Sequence, residues 1–407
     1  MKKYIAYHCH SDLSNLTVAD SSVSPMDYIN RIKDLGHTTY VSTEHGQSYG
    51  WAEKYLLCEK HNIKFVYGVE IYLEHNKKPY HCILVAKNFE GLKQINHAIN
   101  DAVRNNFVNR RPRVTMEMIE KYIDRNNVYC TSSCIMGILS EPTSELFRSV
   151  LRHFGDSTLL EVQANLDERQ ISINKLAKTL SKRYNLKLIA GTDSHIIDNK
   201  QIIERADLIA GKGINYGEDE SEDGFFMDYP DYDTLFQRFK KQGVFSDDEI
   251  KDFIDRTNIF EMCDPIVLNK DFKVPSIYPE LSRKERCQKL IALINKKWNE
   301  YKVNVPTELH PKYIQEIKNE LKEWFACHME DYALTSHAIV KRGVRKGGVI
   351  TTTGRGSCAS YLTNMLLGFT TIDRLRTKIP ILQQRFMTAD KILKSHSCPD
   401  RLLVTLN

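Results

Sequence analysis

No apolar run in this 407-residue sequence reaches the ~18 residues a membrane helix needs, so no membrane partner is expected. The start, Met1 to His10, turns polar before a secretory apolar region could form, which points to a cytoplasmic protein. The ten cysteines include no CxxC pair, which does not read as a disulfide framework and leaves most of them as reduced core thiols. Neither internal repeats nor low-complexity blocks occur, and 12 prolines and 19 glycines are too few for a collagen-like chain. Charge of one sign is also lacking: 57 Lys and Arg against 52 Asp and Glu leave +5, which permits a polyanionic partner without requiring one. What is present, 42% hydrophobic and 27% charged residues, suits two or three domains with packed cores.

Over residues 1–200, short apolar runs alternate with helical stretches. Tyr4–Tyr7, Thr39–Ser42, Lys64–Val69, Cys82–Ala86, Val128–Thr131, Leu159–Val162 and Leu188–Ala190 read as strands. Ser24-Pro25 opens a helix that stops at Gly36, and 51–61, 91–100, 116–123 and 168–184 carry further helical patterns. Repeated strand–helix order predicts an α/β domain with a parallel sheet, open or closed into a barrel. Residues 215–224 read as a solvated acidic loop and Asn269–Pro279 as a linker. Residues 283–329 read as charged helix, followed by a Gly-rich segment at 343–356 and an apolar helix over 357–367.

The polar residues beside the strands carry the chemistry. His8 and His10 follow the first strand, Thr43-Glu44-His45-Gly46 the second and Glu70 the third. His81 begins the fourth, Cys134 follows the fifth, and Gly191-Thr-Asp193-Ser-His195 follows the last. In a β/α barrel the strand C-termini share one face, so residues distant in sequence converge there. Imidazole, carboxylate and thiolate are metal-ligand types, and the i, i+2 spacing of His8/His10 and Asp193/His195 puts each pair on one face. A lone His is more often packing, and His37, His61, His75, His97 and His153 are read that way.

The set HxHS, T(D/E)HG, GVE, a strand-edge His and GTDSH resembles the PHP (polymerase and histidinol phosphatase) family. The likeness extends to the N-terminal part of bacterial DNA polymerase III alpha subunits, including versions carried by phages of Gram-positive bacteria. It implies a distorted seven-stranded β/α (TIM-like) PHP barrel over residues 1–275, holding two or three divalent metal ions (Zn, Mn or Fe). Carried over residue by residue, His8, His10, Glu70 and Asp193 would surround one metal. Glu70, His81 and Cys134 would hold a second, and Asp20, His45 and His195 a third. Glu44 and Cys134 depart from the usual Asp and His, and Asp20 fills its place through a short insertion. Through these metals His8, His10, Glu70, Asp193 and His195 would be catalytic.

Residues 276–407 resemble a helical segment leading into a partial α+β palm of the same polymerases. Phe325–Ile339 stands in the place of a GF-x-DYFLIV-type helix. Thr353-Gly354-Arg355-Gly356-Ser357 matches a GPGRGS loop, and Gly368–Asp373 matches G-x-T-x-ID. Gly354, Arg355, Gly356 and Ser357 would bind phosphate, with Ser357 capping the next helix. Asp400 matches the first aspartate of PDIDxD as a vestige, whereas Leu402 stands in place of the second. A two-metal phosphoryl transfer needs at least two carboxylates, so no polymerisation by this chain alone is expected, and Mg would matter only if another chain completed that site. A truncated or frame-shifted product is the expectation. The leading function is hydrolysis of a 3′-terminal DNA phosphodiester, of the 3′–5′ proofreading exonuclease type. The partners expected are DNA with a single-stranded or frayed 3′ end, other replisome subunits, and a C-terminal polymerase fragment. The alternatives are a non-catalytic replicase scaffold and a small-molecule phosphatase of the histidinol-phosphatase type.

Overall fold

The computed structural model describes residues 2–140, 144–198, 201–211, 224–269, 274–351 and 356–396. The acidic stretch 215–223, Gly354, Arg355 and Asp400 lie outside them. The chain forms two compact units divided at Leu268–Asn269, ahead of the boundary expected at 275. Among the described residues no helix is long and apolar enough to cross a membrane.

The first unit is an α/β fold. Its strands are β1 (Thr39–Ser42), β2 (Lys64–His75), β3 (Lys78–Ala86), β4 (Phe107–Val108), β5 (Arg111–Val114), β6 (Val128–Thr131), β7 (Thr158–Gln163) and β8 (Lys187–Gly191). The path β1-β2-β3-β6-β7-β8 is parallel except for β3, which runs against both of its neighbours. The expectation of an all-parallel sheet is therefore corrected. The residues read as two separate strands, 64–69 and 82–86, are parts of one long hairpin. Asn76 and Lys77 take φ of +51° and +63° at its tip, the two left-handed residues that a tight hairpin demands. Nothing in the apolar pattern marks that turn, since neither position is glycine.

Tyr4–Tyr7 is corrected too. It is buried, but no strand ladder forms over it. The backbone pairs only beyond it: His10 N donates to Ser194 O (2.8 Å) and Ser194 N to His8 O (3.0 Å). On the other side Cys9 N donates to the Thr43 hydroxyl (2.9 Å). The N-terminal segment thus lies between the ends of β8 and β1, and a ring of seven chain segments closes at one mouth. Within the ring, Ile5, Tyr7, Val41, Val66, Ile83, Val85, Leu159 and Ile189 form one buried cluster, with Phe260 packed against them. Helices Pro25–Asp34, Trp51–Lys60, Phe89–Asn105 and Glu168–Tyr184 pack their apolar faces on the outside. The first begins at a capping box, Ser24 accepting from Asp27 N and Asp27 from Ser24 N, with Pro25 at the first position. Gly36, at φ +67°, turns the chain out after it.

The second unit is helical, and among its described residues there is no strand, so the palm's expected sheet is not seen there. Arg283–Tyr301, His310–Ala326 and Glu330–Arg345 bury Leu290, Ile294, Tyr313, Ile317 and Trp324 in one core. The apolar helix expected over 357–367 is broken. Residues 358–360 make a 3-10 turn, Ser357 gives no side-chain cap, and α-helix runs only over Leu362–Leu366. Buried Glu320 accounts for the break: it accepts from Leu362 N (2.8 Å) and Thr363 N (2.7 Å), so the first amides of that helix already face a carboxylate.

Candidate metal centre

The inward face of the ring leads straight into the site. Side chains alternate along a strand, so Val66 and Glu70 share a face of β2, and Ile83 and His81 a face of β3. The first member of each pair packs the ring's interior. The second reaches its mouth. His81 lies inside β3, which begins at Lys78, and not at the start of a strand as the sequence reading had it; because β3 is reversed, its first half comes to the end where the others finish. Glu70 lies inside β2, and not after a strand as the sequence reading had it, because β2 continues to His75.

The nine predicted ligands meet there. His8 Nε2 is 3.1 Å from Asp193 Oδ1 and 3.3 Å from Glu70 Oε1. His10 Nε2 is 3.3 Å from Asp193 Oδ1. His45 reaches Glu70 Oε2 through Nδ1 (2.7 Å) and Asp20 Oδ2 through Nε2 (3.2 Å). His195 Nε2 is 3.4 Å from Asp20 Oδ2, and His81 Nδ1 is 3.1 Å from Glu70 Oε1. Cys134 Sγ lies 3.5 Å from His81 Nδ1 and 4.0 Å from Glu70 Oε1. Asp193 and Ser133 hold φ of +46° and +59°, unusual for non-glycine residues and typical of functional turns.

Three groups of ligand atoms are close enough to share an ion: His8, His10 and Asp193; His10, His45 and His195; and His45, Glu70 and His81. The buried Nε2 atoms of His8 and His10 and Oδ1 of Asp20 have no hydrogen-bond partner, although carboxylates stand beside both imidazoles. Buried polar atoms are seldom left so, and nitrogen and carboxylate donors around a common point suit divalent metals. The residues therefore fit the metals that the resemblance implies.

The charges of these side chains follow from the crowding. Burial opposes the charges of Glu70 and Asp193, yet the surrounding imidazoles hold both carboxyls well below the usual range. Burial likewise opposes charge on His45, but Asp20 and Glu70 push it up to about 10. His10 goes the other way, to about 3, through burial and the neighbouring His45 and His195. Burial, with Asp193 and Glu70, pushes the Cys134 thiol well up.

The bowl has a volume of about 350 Å³, and Arg111, Arg169 and Arg205 line it beside the ligands. Arg111 lies over the Tyr72 ring at 5.1 Å, and Arg205 Nε donates to Asp20 O (2.8 Å). Sequence reasoning missed these cations and two buried supports, Glu161 and Lys54. Glu161 had a signal, a lone charge within the apolar run Leu159–Val162 at an inward position. Lys54 had none, since a lysine on an amphipathic helix normally faces water. The histidines set aside are engaged elsewhere, for example His37 with Tyr229 OH (3.0 Å) and His153 with Ile123 O (2.9 Å).

Comparison with known proteins agrees with this geometry. Residues 6–165 match the family described as PHP domain. Residues 288–400 match the bacterial DNA polymerase III alpha NTPase domain. A DNA polymerase III subunit alpha from Borreliella burgdorferi is 28% identical over 51% of this chain and 19% of its own length. One from Helicobacter pylori is 23% identical over 98% of this chain and 35% of its own length. The chain thus spans about a fifth to a third of the curated relatives it matches. An amidohydrolase from Chromobacterium violaceum, 14% identical, aligns over 46% of this chain and 86% of its own with a TM-score of 0.30. That score is too low to bear on the fold, which rests on the strand order itself.

Proposed function

We propose that this chain, with residues 6–165 similar to a PHP domain and residues 288–400 similar to a bacterial DNA polymerase III alpha NTPase domain, is a metal-dependent phosphodiesterase acting on the 3′ end of DNA. The observation that carries this reading is the meeting of nine ligand-type side chains in one bowl lined by three arginines. Metals bound there would lower the pKa of a coordinated water and neutralise charge developing on the phosphoryl group. His8, His10 and Asp193 would hold one ion, Glu70, His81 and Cys134 a second, and Asp20, His45 and His195 a third. Arg111, Arg169 and Arg205 supply forked cations suited to phosphate oxygens. A recessed bowl of about 350 Å³ admits a frayed end and not a duplex, so mismatched 3′ ends should be cut faster than paired ones, whose unpairing costs a few kcal/mol. DNA and replisome subunits are the partners this reading supplies.

The test pairs metal analysis of the purified protein with digestion of labelled oligonucleotides in Mn²⁺ and in Zn²⁺. Metal content and 3′-end hydrolysis should fall together when His8 and His10 are both replaced by alanine. Rapid phosphomonoester turnover with intact oligonucleotides would overturn the nuclease reading in favour of a small-molecule phosphatase. Bound metal with no hydrolysis of either substrate would leave a scaffold.

A further inference from the structure

Behind the ligands lies a carboxylate that takes no place among the nine. Glu161, on the inward face of β7, is 1% exposed. Its Oε2 accepts from Tyr7 OH (2.6 Å) and from the Thr131 hydroxyl (3.3 Å). Its Oε1 accepts from Gln163 Nε2 (2.8 Å) and stands 2.7 Å from Nδ1 of His8. An ionised carboxylate only accepts, so in the His8 contact Nδ1–H is the donor. The opposite nitrogen, Nε2, is then the one that faces Asp193 and Glu70 across the bowl. The fold also reserves space for this group: a Cβ at Gly191 would stand 2.0 Å from Glu161 Oε1, so only glycine at that position leaves the carboxylate where it is.

We infer that Glu161 is the positioning residue of the metal centre: it fixes the ring of His8 and the nitrogen that His8 offers to a metal, from the side away from the bowl. A carboxylate behind a ligating imidazole holds the ring's orientation, selects the tautomer and raises the basicity of the ligating nitrogen. Tyr7, Gln163 and Thr131 fill the remaining acceptor sites of Glu161, so its direction is itself set by three neighbours. The inference rests on the metal-binding reading of the bowl, not on any particular substrate.

The experiment is a Zn²⁺ competition titration of the full chain, with thermal unfolding of the metal-free form recorded beside it. Glu161→Leu should weaken Zn²⁺ binding about 10–100-fold. Glu161→Gln, whose amide oxygen still accepts from Nδ1–H, should recover most of that loss. Tyr7→Phe removes a different partner of the same carboxylate, and it should lower the unfolding temperature while changing affinity far less than Glu161→Leu does. Wild-type affinity in folded Glu161→Leu would overturn the inference while leaving the metal centre standing. Equal losses in the Leu, Gln and Tyr7→Phe variants would also overturn it, because a structural role alone gives that pattern. Should Glu161→Leu fail to fold, the Gln and Tyr7→Phe pair decides: a Tyr7→Phe loss as large as 10-fold with no smaller loss in Gln refutes it. Absence of Zn²⁺ binding by the wild type would defeat the metal reading itself, a result distinct from all of these.

Discussion

Replacing Lys54 with methionine should be among the most damaging single changes in the first unit. Lys54 is fully buried on the helix Trp51–Lys60, and its ammonium donates to the Ser42 hydroxyl (2.9 Å) and to the carboxylate of Glu44. Glu44, also buried, accepts from Ser11 N (3.0 Å), Ser11 Oγ (2.7 Å) and Ser14 Oγ. Ser14 in turn accepts from His45 N (3.1 Å) and lies 3.4 Å from His10 Nδ1. The pair therefore ties two ligand-bearing loops to one helix. Methionine keeps most of the packing but leaves Glu44 charged without its cation, which costs about 3–5 kcal/mol. For a domain of this size that is a fall in melting temperature of about 6–20 °C. Trp51, on the same helix and edge-on to Tyr67, is the fluorescence probe, since Trp298 and Trp324 belong to the other unit. The double change Lys54→Met with Glu44→Gln should recover part of the loss, because the uncompensated charge goes. Burial raises the Glu44 carboxyl, but Lys54 outweighs it and holds the pKa below the ordinary value. The pair's contribution is thus complete above about pH 4.5, the unfolded value, and is lost as pH falls through the folded one. A Lys54→Met change costing under about 1 kcal/mol, or a double change worse than the single one, would refute this account of the pair.

Two further outcomes follow from the charges on the page. Metal affinity should rise with pH, by about tenfold per unit for each proton released, because His45, pushed up to about 10 by Asp20 and Glu70 against burial, must lose its proton to ligate. Glu70 and Asp193 are held ionised and add no compensating uptake, so competition titrations at about pH 6 and 8 that give one affinity would contradict that charge assignment. In the second unit, Glu320→Ala would strip the amides of Leu362 and Thr363 of their acceptor and leave the largely buried Arg374 without the partner at 2.9 Å, though Glu316 remains beside it. A cost of about 3 kcal/mol, read by Trp324 fluorescence in denaturant, is expected, and an unchanged midpoint would show that water replaces the carboxylate.

Much of the first unit was written locally. Thr39–Ser42 and Val128–Thr131 are strands with the bounds their apolar runs predicted, and 168–184 is a helix end to end. Those segments carry their own signals: alternation, caps and stop residues act within a few residues. Four of the candidate ligands, His8, His10, Asp193 and His195, were legible for the same reason, since His and Asp at i and i+2 beside a strand state which face they share. What neighbours decide could not be read this way. The direction of β3 depends on a turn at Asn76-Lys77 whose left-handed backbone no glycine announces. The closure of the ring depends on Ser194 meeting His8 and His10, residues that share no local pattern. The helix expected after Ser357 is interrupted by Glu320, which sits two helices earlier in the chain. Glu161 and Lys54 look like any carboxylate and any lysine until burial gives each a partner across the fold. The sequence by itself determined which side chains could bind metal and on which face of each strand they stand. Tertiary structure decided which nitrogen each histidine presents and what holds it there, because long-range hydrogen bonds between buried groups, and not local propensity, set those orientations.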